Sequence, residues 1–236
     1  MPEKSSRPAR RTDAAVRAIE DLILEEGLTR GDPLPTEGEL GERLGMSRSS
    51  VREAVKILAS LDIVDVRHGH GSFVGELSLA PLVNGLMFRA RLDRKDGLRS
   101  LREIVTVRRG LDLSLADDLA EVYRGTDNPH LRAHVERMRE LEGTGESIAA
   151  PDSAFHRELI APLDNRLVQQ LVQAFWEVHT HALPVLGIGT ARGVRRTIEA
   201  HEAMIDALED GDAARFQQAV REHYTPLEEA LDAAVG

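Results

Sequence analysis

The sequence predicts a mainly α-helical chain in two parts: a small N-terminal unit closed by a β-hairpin, then an all-helical antiparallel bundle of about seven helices. Three observations predict it. Apolar residues recur at helical spacing through most of the chain. One pair of β-like runs, 63–67 and 72–74, flanks a Gly-containing turn. From about 79 onward, Gly, Pro, Asp and Asn punctuate the sequence into helix-length pieces.

In order along the chain, residues 1–8 carry Pro, Ser and charges without an apolar period and are expected to be disordered. From Ala9 to Glu26, Ala14, Ile19, Leu22 and Ile23 form a helical stripe that Gly27 ends. TRGDPLP is a turn-rich connection. Thr36 opens a short helix, because TEGE offers a capping box with Glu39. That helix ends near Gly45, and Ser47 opens the next, SRSSVREAVKILASL, with Val51, Val55 and Leu58 facing inward. The hairpin follows. The second part reads as helices near 79–91, 98–124, 129–142, 152–163, 166–185, 190–210 and 212–234. Its breaks fall at Asp96-Gly97, Gly125 to Pro129, Gly143 to Pro151, Asp164-Asn165, Gly187 to Gly189 and Gly211-Asp212. The domains are therefore placed at 9–76 and 79–236.

Composition narrows the function. With 42% hydrophobic and 30% charged residues the chain is of ordinary globular type. It has no cysteine, which excludes disulfides and thiolate metal sites and fits a reducing, cytoplasmic setting. No apolar run approaches the ~18–20 residues of a membrane span. Net charge is −10, so basic character must be sought locally. Up to Gly75 there are 11 Lys and Arg against 13 Asp and Glu; the remainder has 19 against 27. Yet segment 47–56 carries Arg48, Arg52 and Lys56 against Glu53 alone, and the tail carries Lys4, Arg7, Arg10 and Arg11 against Glu3. Such focused charge is either a solvated helix face or a DNA contact on a molecule that repels DNA elsewhere.

Helix, short helix, Gly-containing turn, helix and hairpin is the order of a winged helix-turn-helix. A helix beginning SRSS presents backbone N–H groups and hydroxyls to phosphate, and its arginines suit bidentate contact with guanine. Glycines in the wing tip HGHG allow close backbone approach to DNA. The run LPTEGELGERLGMSRSSVREAVKILASLDIVDVRHGHGSFV resembles the winged-helix signature of the GntR family of bacterial transcription regulators. The resemblance implies DNA contacts from Ser47, Arg48, Ser49, Ser50 and Arg52, with His68 and Gly69 in the wing. The sequence departs from the family at Gly38, where an arginine is usual. The tail arginines are candidates to compensate.

Asp152 and His156 in PDSAFHREL stand four apart, so a helix puts both on one face. His130 and His134 share that spacing and read as a solvated face. His201 lies ten residues before Gly211 and His223 twelve after it. At ~1.5 Å per residue an antiparallel hairpin brings them to nearly one height. One carboxylate and three imidazoles suit Zn²⁺, with Ni²⁺, Mn²⁺ or Fe²⁺ as alternatives. The bland reading is four separate side chains. DSAFHRELIAPLDNRLV, TIEAHEAMIDALEDGDAARFQQAVREHY and LREIVTVRRGLDLSLADDLAE resemble the helical FCD effector domain of the FadR subfamily of GntR regulators. The resemblance implies that Asp152, His156, His201 and His223 bind a divalent metal that anchors a small organic acid. It also implies that Arg108 meets the acid's carboxylate, a task suited to a guanidinium. The family's next position, usually Glu, is Asp112, which receives no role. Asn165 is expected to cap a helix, and Trp176 to pack.

The expected protein is a homodimeric, ligand-responsive repressor that reads a pseudo-palindromic operator. It is not expected to be an enzyme. Two alternatives stay open at this point. One is a purely structural metal. The other is a metal-dependent hydrolase, for which Glu158 and Glu202 flank ligand histidines but no HExxH arrangement exists.

Overall fold

Two separate clusters of buried apolar side chains underlie the two units of the chain, Met1–Pro81 and Leu82–Gly236. The structure is a computed structural model and describes residues 6–92, 97–185 and 193–235. The expected breaks at Asp96 and at Gly187 to Gly189 lie outside the described residues.

In the first unit, α1 spans Ser6–Glu25, α2 Glu37–Leu44 and α3 Arg48–Ser60. The expected disordered tail is corrected in part: 1–5 lie outside the described residues, and 6–8 already belong to α1. Gly27, at φ +65°, ends that helix, and Leu28 N donates to Ile23 O at 3.0 Å. The capping box at Thr36 forms as its sequence predicts. Glu39 N donates to Thr36 Oγ1, and Thr36 N donates to Glu39 Oε2 at 2.8 Å. Ser47 caps α3 by accepting from Ser50 N. Strands β1, Val64–Arg67, and β2, Gly71–Val74, pair antiparallel with Val64 opposite Val74. The connection 31–34 does more than turn. Gly31 N donates to Val74 O, Leu34 N donates to Ser72 O, and Val74 N donates to Asp32 O, so this segment pins the wing to the helices. Ile19, Leu40, Val51, Leu58, Val64 and Val74 form the centre of the core.

From Ala80 onward the chain is all-helical among the described residues: α4 Ala80–Leu92, α5 Gly97–Ser114, α6 Ala116–Tyr123, α7 Pro129–Leu141, α8 Ala149–Ile160, α9 Arg166–Val185, α10 Val194–Glu209 and α11 Ala213–Val235. The expected single helix 98–124 is two. No Gly or Pro marks the break. Instead Ser114 Oγ takes the Leu111 carbonyl and Leu115 N tightens onto Asp112 O, a local competition that halts the α-helical ladder. Helix α8 begins at Ala149 rather than 152, because Pro151 fits inside a first turn, where its missing N–H costs nothing. Gly211, at φ +69°, lets α10 and α11 fold back on each other, with Asp212 N donating to Ala207 O. Asn165 caps α9 by accepting from Val168 N, and Trp176 is buried, both as the sequence predicts.

Candidate metal centre and DNA-reading surface

Helices α8, α10 and α11 carry Asp152, His156, His201 and His223 into the core of the second unit. One donor atom from each of the four lies within 4.8 Å of the others. Asp152 Oδ1 stands 3.1 Å from His201 Nε2 and 3.4 Å from His156 Nε2, and the two Nε2 atoms are 3.3 Å apart. Donors about 2.1 Å from a shared ion would stand about 3.0–3.4 Å apart, so the spacing suits a common cation. His201 is fully buried, and the other three are nearly so. Asp152 Oδ1 forms no aligned hydrogen bond, nor does Nδ1 of His223. Buried polar atoms rarely go without partners, and an ion at the centre would supply one to the carboxylate.

Electrostatics agrees with the donor geometry. Burial opposes ionisation of Asp152, but contacts with His156 and His201 outweigh it and hold the carboxyl well below its ordinary range. Burial pushes His201 down, and Asp152 offsets only part of that. Burial also drives His223 well below the usual histidine range, helped by the charges of His201, His156 and Arg108. A deprotonated Asp152 and neutral imidazoles at His201 and His223 are the forms that donate lone pairs to a metal. The residues present therefore fit a divalent ion.

Arg108 on α5 is fully buried, and its guanidinium carbon lies 5.6 Å from the centroid of the Tyr224 ring, beside His223. Sequence spacing alone assigns no role to Asp112 or to Tyr224. Here Tyr224 Oη donates to Asp112 Oδ2 at 2.6 Å in a buried pair. Burial raises the Tyr224 hydroxyl well above the ordinary phenol range, so it stays protonated and remains a donor. The signal was available: a tyrosine on the inward face of α11 needs a partner for its hydroxyl. Asp112, His156, Leu159, Met204, Phe216 and their neighbours line a cavity of about 10 Å³, roughly the room one water molecule needs. An organic acid requires rearrangement there.

The two carboxylates considered as hydrolytic bases are engaged elsewhere. Glu158 accepts from His134 Nε2 at 2.7 Å, and Glu202 pairs with Arg139. His134 is therefore half-buried and hydrogen-bonded to Glu158, which corrects its reading as a plain solvated face. His130 is exposed as expected.

In the first unit, Ser47, Arg48, Ser49 and Arg52 are exposed at the start of α3, and Ser50 is half-buried. Ser47 Oγ lies 3.0 Å from Ser49 Oγ and 2.8 Å from Ser50 Oγ. Arg52 Nε donates to Glu37 Oε2 at 3.1 Å, a partner the sequence reading did not foresee. His68 and Gly69 are exposed at the wing tip, where Gly69 has φ +76° and His70 N donates to Arg67 O. Arg67 was also missed. It pairs with Asp65 and stacks on Phe73, with its guanidinium carbon 4.2 Å from the ring centroid.

Comparison with known proteins gives a consistent picture. Residues 103–225 match the FCD domain model, and residues 11–74 match the model for bacterial regulatory proteins of the gntR family. The chain is 26% identical to the HTH-type transcriptional regulator LutR of Bacillus subtilis over 89% of its own length and 96% of the relative's. It is 23% identical to the galactonate operon transcriptional repressor of Escherichia coli, over 86% and 90% of the two chains. A solved structure, Streptococcus agalactiae GntR, shares the fold with a TM-score of 0.65 at 24% identity, over 92% of this chain and 99% of that one. No described helix is long and apolar enough to cross a membrane.

Proposed function

Because the chain belongs to the gntR family of bacterial regulatory proteins and carries an FCD domain, we propose that it is a homodimeric repressor whose FCD domain senses a small carboxylic acid at a bound metal. That it is a DNA-binding transcription regulator rather than an enzyme follows from the family. The finer reading rests above all on the buried convergence of Asp152, His156, His201 and His223 within 4.8 Å.

Residues 9–76 form the DNA-binding head and 79–236 the effector-binding and dimerisation domain. Ser47, Arg48, Ser49, Ser50 and Arg52 meet the operator's major groove, and His68 and Gly69 follow the adjacent backbone. Two heads read a pseudo-palindromic operator, in the cytoplasm. Asp152, His156, His201 and His223 hold the divalent ion, with Zn²⁺ the best match to three imidazoles and a carboxylate and Ni²⁺, Mn²⁺ or Fe²⁺ as alternatives. When bound, the ion supplies a Lewis-acid anchor for a carboxylate oxygen. Arg108 lies within reach of the same helices and adds a buried positive charge for the acid. One relative's name refers to a galactonate operon, and galactonate is a hydroxy carboxylic acid of the expected kind. Acid and operator must then change each other's affinity by the same factor.

Elemental analysis of the purified chain tests the metal set. About one divalent ion per chain is expected, and none in His201→Ala with His223→Ala. A full complement in that double variant refutes the ligand assignment.

A further inference from the structure

Arg52 and Arg48 both lean onto the first turn of α2. Arg52 Nε donates to Glu37 Oε2 at 3.1 Å. The position a Cβ would take on Gly38 is 3.8 Å from Arg48 Nη2. Arg48 and Arg52 are exposed, and Glu37 is half-buried. A guanidinium has two donor edges, one made by Nε with one terminal nitrogen and one made by both terminal nitrogens. Glu37 engages Nε, on the side edge. The end edge takes no part in that contact, and on a side chain 60% exposed it can give the paired hydrogen bonds that guanine O6 and N7 accept.

We infer that Glu37 is a positioning residue for base reading: its carboxylate fixes the rotation of the Arg52 guanidinium before DNA arrives. This rests on the reading of α3 as the recognition helix. A carboxylate so near a phosphate backbone weakens binding to all DNA through repulsion. What it adds is selectivity, because an arginine held in one orientation loses less rotamer freedom on meeting its base. Gly38, between Glu37 and Glu39, adds no side chain of its own to that turn. Glu37 also sits in the first helical turn of α2, where a negative charge favours the helix by itself. The test must separate that structural role from positioning.

The experiment is selection of binding sequences from a randomised DNA duplex pool by the full-length chain, run in parallel with Arg52→Ala, Glu37→Gln and Glu37→Ala. Affinity for one mixed-sequence duplex and the melting temperature are measured alongside. Wild type is expected to enrich paired half-sites, and Arg52→Ala to lose preference at one base pair in each. Glu37→Ala should weaken preference at that same pair about three- to tenfold, a fraction of what a bidentate base contact discriminates. Its affinity for the mixed-sequence duplex should hold or rise. Glu37→Gln keeps an acceptor for Nε and should fall between. Full preference at that pair in Glu37→Ala overturns the inference, as does an equal gain of both variants on every sequence. Arg52→Ala with all preferences intact, or a wild type that enriches nothing, overturns instead the recognition-helix reading beneath it. Should Glu37→Ala melt lower through loss of its helix charge, Glu37→Gln against wild type at matched folded fraction carries the comparison.

Discussion

The imidazoles of His201 and His223 stand with ring centroids 4.5 Å apart, although they come from different helices joined through Gly211. Gly211 makes that meeting possible in two ways. Its φ of +69° reverses the chain, and a Cβ there would lie 2.6 Å from Arg124 Nε. The hairpin sets two donors at one height, and α8 brings Asp152 and His156 to them. Metal removal should therefore destabilise the second unit. If the ion is present at about a hundred times its dissociation constant, its loss costs about 2.7 kcal/mol. Chelator should lower the melting temperature of wild type and leave His201→Ala with His223→Ala unmoved. An equal drop in both would place the ion elsewhere.

Arg48→Ala removes an exposed side chain, so stability should change by no more than about 0.5 kcal/mol. Binding to the selected operator should fall to the level of unrelated DNA. Unchanged operator binding, read by fluorescence anisotropy, contradicts the assignment of α3 as the reading helix.

Tyr224→Phe strips the donor from buried Asp112 and leaves a carboxylate oxygen unsatisfied. The expected cost is about 1–3 kcal/mol in chemical denaturation. Adding Asp112→Ala should recover part of it, because both halves of the pair are then gone. Strictly additive losses would mean that the 2.6 Å contact carries no coupling.

Glycine substitutions should divide sharply by place. A Cβ on Gly75 would stand 2.3 Å from the Asp62 carbonyl oxygen, which is backbone and cannot swing away. Gly75→Ala should cost about 2–3 kcal/mol and loosen the base of the wing. Gly110, inside α5, has nothing within 4 Å of that position. Gly110→Ala should stabilise by about 0.8–1 kcal/mol through helix propensity. Denaturant midpoints decide both.

Glu209 joins the end of α10 to the start of α7. Burial opposes its ionisation, but Arg132 and both the backbone and side-chain amides of Asn128 prevail and hold its carboxyl below the ordinary glutamate range. A depressed folded value contributes stability that is present above the unfolded value and lost as pH falls through the folded one. Wild type should therefore lose stability below about pH 4.5 more steeply than Glu209→Gln, whose side chain does not titrate. Parallel stability curves for the two would rule out that link.

Much of this was legible in the sequence because single residues carried it. Thr36 with Glu39, Ser47 and Asn165 each announced a helix start through a side chain that caps its own backbone. The His201–His223 meeting was legible because a glycine break fixes a hairpin and rise per residue fixes heights. What the sequence hid depends on packing. The break at Leu115 has no Gly or Pro and comes from a hydroxyl competing for a carbonyl. Asp112 with Tyr224, and Glu37 with Arg52, are partners on different helices, and no spacing rule within one helix relates them.

If Asp152, His156, His201 and His223 hold an ion that anchors an organic acid, acid binding must depend on the metal. The most direct test is a thermal-shift screen of the full chain against small hydroxy and dicarboxylic acids, with Zn²⁺ and again with chelator. The expected result is an acid that raises the melting temperature only when metal is present. Stabilisation by Zn²⁺ with no response to any acid, or an acid shift that survives chelation, would contradict it.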